Sequence, residues 1–284
     1  MIRICILFHE KETNPKKYVI HHLAKMWQED GNEVRYIFGC KKFIPGDILI
    51  LHVDLSVVPQ KYIDYASKYP IALNNKISDI RKVAISENIL SYGDPWDGPV
   101  VVKSNYNFYG MPERVYYKSN LKKRFEIIDT VKSKFFQLRY KGMPLEDIRQ
   151  YKIYKSIKEI PKKWFSFQYA VIEKFIPEME NDVFHLRIAQ VLGSRVISTR
   201  IASRDPIIKA RKSIKTEEIE PDEIIAHWRG KYHLDYGKLD YVVNNGVPSL
   251  LDVNKTVGAT SGYRKDSDLY ATRKYIAEGI YDYL

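Results

Sequence analysis

Short apolar runs alternate with amphipathic stretches over the first hundred residues of the chain. The runs ICILFH, VRYIFG and DILILHV predict strands, and IALNN predicts a further short one. Between these runs, residues 15–30 and 59–69 have apolar positions at helical spacing and predict helices. Strands that alternate with helices indicate a largely parallel sheet. We therefore predict an N-terminal α/β domain over residues 1–98, which ends in a segment rich in Gly, Asp and Pro.

The remaining pattern predicts a second α+β region in two parts, residues 99–176 and 177–284. Its strands are predicted in GPVVVKS, FSFQYAVIEKFIP and VFHLRIAQVLGSRVISTRIAS, and its helices over residues 216–225 and 266–284. A further short helix, over residues 79–90, is predicted just before the end of the N-terminal domain. The boundary after residue 176 is set by a proline, which cannot donate a hydrogen bond to a sheet. The terminal helix is expected to bury Leu269, Ile276, Ile280 and Tyr283.

A β-hairpin is predicted over residues 237–256, GKLDYVVNNGVPSLLDVNKT, with its turn at Asn-Asn-Gly. Asp240 lies near the start of the first strand, and Asp252 and Asn254 lie near the end of the second, so the turn brings them together. Asp252 and Asn254 are two residues apart and point to one face. Oxygen ligands without Cys or His suit a hard cation such as Mg²⁺. The alternative is an ordinary exposed hairpin whose Asp and Asn residues serve turns and caps.

Composition narrows the class of protein. The chain has 284 residues, of which 45% are hydrophobic, which is enough for more than one core. Its two cysteines, Cys5 and Cys40, are too few for a disulfide framework or a zinc cluster. A reducing cytoplasm is therefore the expected location. The N-terminus lacks signal-peptide flanks and is predicted to be a first strand, and no run of eighteen apolar residues occurs, so no membrane span is expected.

The net charge of +11 admits nucleic acid, acidic lipid or small anions such as nucleotides as partners. The basic residues are densest between residues 118 and 163, where Tyr and Phe are interleaved with them. That pattern is typical of a single-strand nucleic-acid surface, but also of a solvated helical face over a small core. We favour the second interpretation, since no helix-turn-helix, zinc-finger or RNP motif occurs, and nucleic acid is not expected as a partner.

Glycine-rich phosphate motifs are missing from the sequence. Neither G-x-G-x-x-G nor G-x-x-x-x-G-K-[ST] occurs, so neither a Rossmann cofactor site nor a P-loop is supported. The strand that ends at Lys103 does run into a polar and aromatic loop closed by Gly110, and backbone N–H groups of such a loop can contact phosphates. After the strand that ends at residue 176, an extended backbone could receive an adenine edge.

Taken in order, these features resemble the ATP-grasp superfamily over residues 76–262, and in particular bacterial ATP-grasp domain proteins. The resemblance depends on the order of GPVVVK, a Gly-containing loop, VIEKFIPE and the hairpin with D-x-N. It implies a fold with an N-terminal α/β domain followed by two α+β subdomains, between which ATP lies. It also implies the cofactors ATP and Mg²⁺, with Mn²⁺ as a substitute.

The resemblance implies a role for each matching position around the nucleotide. Lys82 would enter the nucleotide site, and Lys103 would contact the α- and β-phosphates. The loop of residues 106–110, closed by Gly110, would cover the phosphates, and Glu180 would accept the ribose. The adenine hinge would consist of Glu173, Lys174, Phe175 and Ile176.

The resemblance also implies the reacting end of the site. Arg187, Lys209 and Arg200 would be its catalytic cations, with Arg187 and Lys209 facing the γ-phosphate. The ligands of one or two metal ions would be Asp240, Asp252 and Asn254. The superfamily usually has Glu where this chain has Asp252, which puts a second metal ion in doubt, and its loop usually has more than one glycine.

The expected activity is that of a Mg·ATP-dependent ligase that joins a carboxylate to an amine or thiol through an acyl phosphate. The substrates would be small or peptidic, and a homodimer is left open. A kinase that uses the same ATP site on a hydroxyl is the first alternative. A non-enzymatic basic module that binds nucleic acid or acidic partners is the second.

Overall fold

The computed structural model describes residues 1–113, 115–116, 148, 150–209, 212–259, 262–267 and 269–284. In the basic region at residues 118–163, residues 118–147 and residue 149 lie outside these described residues. The chain divides into two compact units. The first consists of Met1–Asp79 and Pro177–Leu284, and the second of Ile80–Ile176.

The first unit contains a four-stranded parallel sheet with the strand order β2-β1-β3-β4. Its strands and helices are β1 (Arg3–Phe8), α1 (Val19–Glu29), β2 (Glu33–Phe38), β3 (Ile48–Leu51), α2 (Gln60–Ala66) and β4 (Ile71–Leu73). The predicted alternation of strands and helices in this region is confirmed. The strands β1 and β2 are as long as their apolar runs but begin one residue earlier, whereas the other elements are shorter than their predicted stretches.

The helix α1 buries its apolar face because that face packs on the parallel sheet and on the C-terminal helix α5 (Leu269–Glu278). The indole Nε1 of Trp27 donates a hydrogen bond to the carbonyl oxygen of Ala277 at 2.8 Å. Ile276 and Ile280 are buried in the same core as predicted, whereas Leu269 is 41% exposed. The predicted burial of Leu269 is therefore wrong, because it lies in the first turn, beyond the core.

The second sheet of the first unit is antiparallel, with the order β11-β10-β9-β12-β13 and β8 paired to β9. Its strands are β8 (Glu178–Glu180), β9 (Val183–Leu192), β10 (Arg195–Ser203), β11 (Lys215–Ile219), β12 (Tyr236–Asn244) and β13 (Val247–Asn254). The predicted hairpin is confirmed. Its turn places Asn245 and Gly246 at positive φ, 49° and 77°, which Asn and Gly tolerate best.

The acidic stretch 216–225 is not a helix as predicted. It begins with β11, whose Glu217 lies opposite Arg200 on β10. This cross-strand pairing of opposite charges favours a strand over a helix at the edge of the sheet. Pro221 follows, and the helix α4 (Ile224–Tyr232) begins only after it.

The second unit contains a three-stranded antiparallel sheet with the order β6-β5-β7. Its elements are α3 (Lys82–Ile85), β5 (Val100–Ser104), β6 (Ile153–Tyr154) and β7 (Ala170–Lys174). Its core is formed around the fully buried Trp164, with Val100 and Val102 packed against it.

Two predictions in the second unit are wrong in length. The helix predicted over residues 79–90 has only the four residues of α3, because the chain then joins the sheet and the backbone N–H of Leu90 donates to the carbonyl of Ile172. The strand predicted from FSFQYAVIEKFIP begins at Ala170, since residues Lys162–Ser166 form a 3₁₀ helix. Among the described residues, no helix is long and apolar enough to cross a membrane.

Candidate functional site

The predicted metal ligands lie on one face of the hairpin. Asp240 on β12 is directly opposite Asp252 on β13, and Lys238 is opposite Asn254. Residues that oppose each other across an antiparallel pair point to the same side of the sheet, as do residues two apart on one strand. The structure therefore brings together the three oxygen-bearing side chains that the sequence indicated, and adds a lysine to them.

A positive charge already lies on the carboxylate of Asp240. The ammonium of Lys238 is 2.8 Å from each of the two Asp240 oxygens. The two side chains are only 22% and 18% exposed. Burial would lower the pKa of Lys238, but the charge and hydrogen bonds of Asp240, together with the charge of Asp252, outweigh burial and raise it. On this face of the hairpin, a positively charged group of the chain itself, the ammonium of Lys238, is thus bound to a carboxylate.

The donor set fits Mg²⁺ but is small. No group of three or more His, Cys, Asp or Glu side chains in the described part of the chain could hold a metal ion. The hairpin offers two carboxylates and the amide oxygen of Asn254, and Mg²⁺ commonly takes one or two carboxylates together with waters and phosphate oxygens. The position of the Asn254 side chain is fixed, because its Oδ1 accepts the backbone N–H of Thr256 at 2.8 Å. The lysine ammonium acts as a stand-in ion at the same carboxylate.

A buried lysine fixes the end of the hairpin. The side chain of Lys255 is fully buried, and its ammonium donates to the carbonyl oxygens of Val53 and Leu55 at 2.8 and 2.7 Å. The hydroxyl of Thr256 donates to Asp54 at 2.9 Å. The residues after β13 are therefore bonded to the loop that follows β3. The sequence analysis did not predict this role. Strand alternation alone would nevertheless place the side chain of Lys255 on the opposite face from Asp252 and Asn254.

The predicted catalytic arginines lie on the other face of the same sheet. Arg187 and Arg200 are directly opposite each other on β9 and β10, whereas Asp240 is opposite Ile188, the next residue of β9. Since neighbouring residues of a strand point to opposite faces, the sheet backbone separates both guanidinium groups from the hairpin carboxylates. The structure brings the two arginines together but does not bring them to the predicted metal ligands.

Both arginines are neutralised by carboxylates. Glu178, which is buried, accepts hydrogen bonds from Arg187 at 3.0 Å and from Arg200 at 2.9 Å. Arg187 also donates to Asp222 at 3.0 Å, and Arg200 donates to Glu180 at 3.0 Å. Glu180, predicted to accept a ribose, is therefore held by an arginine here. Sequence reasoning did not identify Glu178 as the shared partner.

Lys209 lies in a turn after β10. The backbone N–H of Lys212 donates to the carbonyl of Lys209 at 2.8 Å, and the Lys212 ammonium is 2.7 Å from Asp205. Lys209 is half-buried. The salt bridge of this turn is thus formed by Lys212 rather than by Lys209.

In the second unit, Lys103 and Glu173 form a buried ion pair. The ammonium of Lys103 is 2.7 Å from Oε2 of Glu173, and the side chains are 13% and 1% exposed. The other carboxylate oxygen of Glu173, Oε1, is buried without a hydrogen-bond partner. Two residues that the sequence assigned to the nucleotide are therefore in contact, and an unused acceptor lies beside them.

The predicted phosphate-covering loop has an unusual backbone. Phe108, Tyr109 and Gly110 have φ values of 45°, 58° and 66°, in the left-handed region that aromatic residues seldom adopt. Lys82, which is buried, donates from its ammonium to Oδ1 of Asn107 at 3.1 Å at the start of this loop. The lysine predicted to enter the nucleotide site thus supports the loop predicted to cover it.

The predicted adenine hinge continues from β7. The Lys174 ammonium lies 5.0 Å from the ring centroid of Trp96. The backbone N–H of Phe175 donates to the carbonyl of Pro99 at 2.9 Å. Ile176 is partly buried at the end of the unit. The hydrogen-bond donor of Phe175 is therefore used within the chain.

Comparison with solved structures identifies the fold. D-alanine–D-alanine ligase from Bacillus anthracis, in a crystal structure of its complex with ATP, matches 100% of this chain and 97% of its own, with a TM-score of 0.51 and 13% sequence identity. A RimK domain ATP-grasp protein from Sphaerobacter thermophilus DSM 20745 matches 99% of this chain and 98% of its own, with a TM-score of 0.49 and 12% identity.

A RiPP-associated ATP-grasp ligase from Chryseobacterium gregarium, in complex with ADP and a leader and core peptide, matches 99% of this chain and 97% of its own, with a TM-score of 0.47 and 12% identity. No protein-family model and no curated protein matches the sequence. The match to D-alanine–D-alanine ligase, at a TM-score above 0.5, shows a mixed α/β fold of the ATP-grasp type, which confirms the resemblance at the level of fold.

Proposed function

We propose that this protein is a Mg·ATP-dependent ATP-grasp ligase that joins a carboxylate to an amine or thiol through an acyl phosphate. One observation carries the proposal. Asp240, Asp252 and Asn254 share one face of the hairpin, with a cation seated on the first of them. The likeness to D-alanine–D-alanine ligase supports the ATP-grasp type of fold, and the oxygen donors of this chain's own hairpin support the proposed chemistry.

The proposal keeps the three-part organisation expected from the sequence. Residues 1–98 would be the N-terminal α/β domain, residues 99–176 the first ATP-grasp subdomain and residues 177–284 the second. The substrate would be a small or peptidic carboxylate, with an amine or thiol as the acceptor.

The residues of the second unit would bind the nucleotide. Lys103 would neutralise the α- and β-phosphates, and the Gly110 loop would exclude water from them. Glu173 would be a suitable contact for adenine. Its buried Oε1 accepts no hydrogen bond in the structure, and the exocyclic amine of adenine could donate one to it. An unfilled acceptor of this kind costs free energy until a donor reaches it.

The hairpin would hold the metal ion. Asp240, Asp252 and Asn254 would bind Mg²⁺, which supplies charge neutralisation and orientation of the polyphosphate when bound. Phosphoryl transfer of this type needs no nucleophile from the protein, since the substrate carboxylate attacks. The task of the chain is to align the groups and keep water out.

The catalytic cations are proposed with one change. Lys209 remains a candidate for the γ-phosphate. For Arg187 and Arg200 we propose support of the sheet, because each donates to carboxylates and neither shares the face of the hairpin ligands. Instead of these arginines, Lys238 would be the cationic side chain beside the metal ligands.

The test measures ADP release from Mg·ATP in the presence of panels of carboxylates, amines, thiols and alcohols. The ligase proposal predicts ADP release that needs a carboxylate and an amine or thiol together. ADP release with an alcohol alone would indicate the kinase. Steeply salt-dependent RNA binding, without stabilisation of the fold by Mg·ATP, would indicate the basic module.

The Asp252→Asn variant links activity to the hairpin. It removes one of the two carboxylates while keeping the shape of the side chain, so turnover should fall at least about tenfold and the Mg²⁺ concentration for half-maximal rate should rise. Asp266→Asn is the matched control, because Asp266 is an exposed aspartate that contacts Arg264. Turnover of Asp252→Asn at the rate of this control would remove the hairpin from the metal site.

A further inference from the structure

The side chain of Lys238 is built into the face that we assign to the metal. We propose that its ammonium occupies the cation position of the hairpin until a polyphosphate binds, so that a divalent ion enters with the nucleotide rather than alone. This inference rests on the proposed function and concerns the order in which the same site is filled.

The geometry makes the ammonium a direct competitor. Lys238 and Asp240 are two residues apart on β12, and the nitrogen contacts both oxygens of Asp240 at the same distance, 2.8 Å. A carboxylate held in this way has no oxygen free of a positive charge. A metal ion that binds Asp240 must therefore either displace the ammonium or stay beside it, where the two cations repel each other.

The neighbouring strand positions add one further charge to this face. On β9, Lys238 is opposite Gln190 and Asp240 is opposite Ile188, and both are uncharged. On β13 they are opposite Asn254 and Asp252. At these described positions of β9, β12 and β13, the face combines two carboxylates with one ammonium, so a divalent ion added without any anion would leave it with an excess of positive charge.

A polyphosphate removes the conflict. Its oxygens carry negative charge and accept hydrogen bonds, so they give the ammonium a new partner as the metal takes Asp240. Lysine suits this exchange because its flexible four-carbon stem lets the nitrogen move by several ångströms. The carboxylates stay in place, since both belong to paired strands whose end is fixed by the buried Lys255.

The experiment measures Mn²⁺ binding, with free Mn²⁺ followed by its electron paramagnetic resonance signal, for the full chain with and without ADP. Without ADP, Lys238→Met should bind Mn²⁺ about tenfold more tightly than the wild type, because the competing charge is gone. With saturating ADP the difference should shrink to about twofold or reverse, since the diphosphate then holds the ammonium.

A matched control separates this effect from a general change in charge. Lys215 forms an ion pair with Glu217, also two residues apart, on the edge strand β11 of the same sheet. Lys215→Met should leave Mn²⁺ affinity unchanged under both conditions. Lys238→Gln is the second variant, and circular dichroism must give a wild-type spectrum for the variants that are compared.

The outcomes distinguish this inference from the proposed function. If Asp252→Asn weakens Mn²⁺ binding with ADP but Lys238→Met and Lys238→Gln bind Mn²⁺ alone no more tightly than the wild type, the inference is overturned and the metal site stands. An equal gain with and without ADP would also overturn it. If Asp252→Asn has no effect on Mn²⁺ under any condition, the metal site itself is refuted.

Discussion

The ion pair between Lys103 and Glu173 allows a prediction whose size follows from burial. Lys103→Met removes the ammonium that lies 2.7 Å from Glu173 and leaves a carboxylate that is 1% exposed, with Oε1 already lacking a partner. Removing one partner of a buried ion pair commonly costs about 3–5 kcal/mol, because the remaining charge is left without water or a counter-charge. Lys103 itself is 13% exposed, so we expect the lower end of that range.

The loss should fall on the second unit, which contains both residues of the ion pair. We therefore expect Lys103→Met to destabilise this unit by about 3 kcal/mol.

Peptide-resolved hydrogen exchange measures this loss within the second unit, which matters because a chain of two units need not unfold in one step. The readout is the protection of β5 and β7. Lys103→Met/Glu173→Gln should recover most of the loss, since the charge is then absent, and Lys158→Met, at an exposed position, should have no effect. Unchanged protection of β5 and β7 in Lys103→Met, or a loss that Lys103→Met/Glu173→Gln does not recover, would refute the reasoning.

Two further predictions concern the first unit. Lys255→Met should lower the unfolding free energy by about 2–4 kcal/mol in urea titration, because two buried carbonyl groups lose a charged donor, while Lys265→Met, at an exposed position, should not. A wild-type midpoint for Lys255→Met would contradict this. Acidification should also destabilise the fold. Burial lowers the pKa of His52 to about 3 and the pKa of His22 to about 4, and the positive charges of nearby side chains add to this effect. Both pKa values lie below the unfolded value of about 6.5, so the unfolded state binds more protons and stability is lost as pH falls from 6.5, by about 2 kcal/mol for each histidine between pH 7.5 and pH 5. His52→Leu should remove about half of this slope in urea titrations at several pH values, and an unchanged slope would exclude His52 as a cause.

The elements that the sequence predicted well are those governed by local rules. The hairpin followed from period-two alternation and from a turn whose Asn245 and Gly246 adopt positive φ. The N-terminal strands and helices followed from apolar runs and helical spacing. The shared face of Asp252 and Asn254 also required only the alternation of one strand.

The elements that were predicted wrongly depend on partners distant in sequence. Residues 216–225 have the acidic composition of a helix start, yet Glu217 pairs with Arg200 across the sheet and makes a strand. Residues 86–90 have helical spacing, yet they bond to β7. In both cases a neighbouring strand overrides local propensity, and no property of the segment itself identifies that neighbour.

The register between β9 and β12 has the largest consequence for function. Arg187 is opposite Tyr241 and Ile188 is opposite Asp240, so a shift of one residue decides whether an arginine or an isoleucine lies beside the proposed metal ligands. Among the lysines and arginines of β9, β12 and β13, only Lys238 shares their face. Under the proposed function, Lys238 and the metal ion would neutralise phosphate charge beside the hairpin ligands. The two arginines that the sequence assigned to catalysis are instead held by the buried Glu178 on the opposite face.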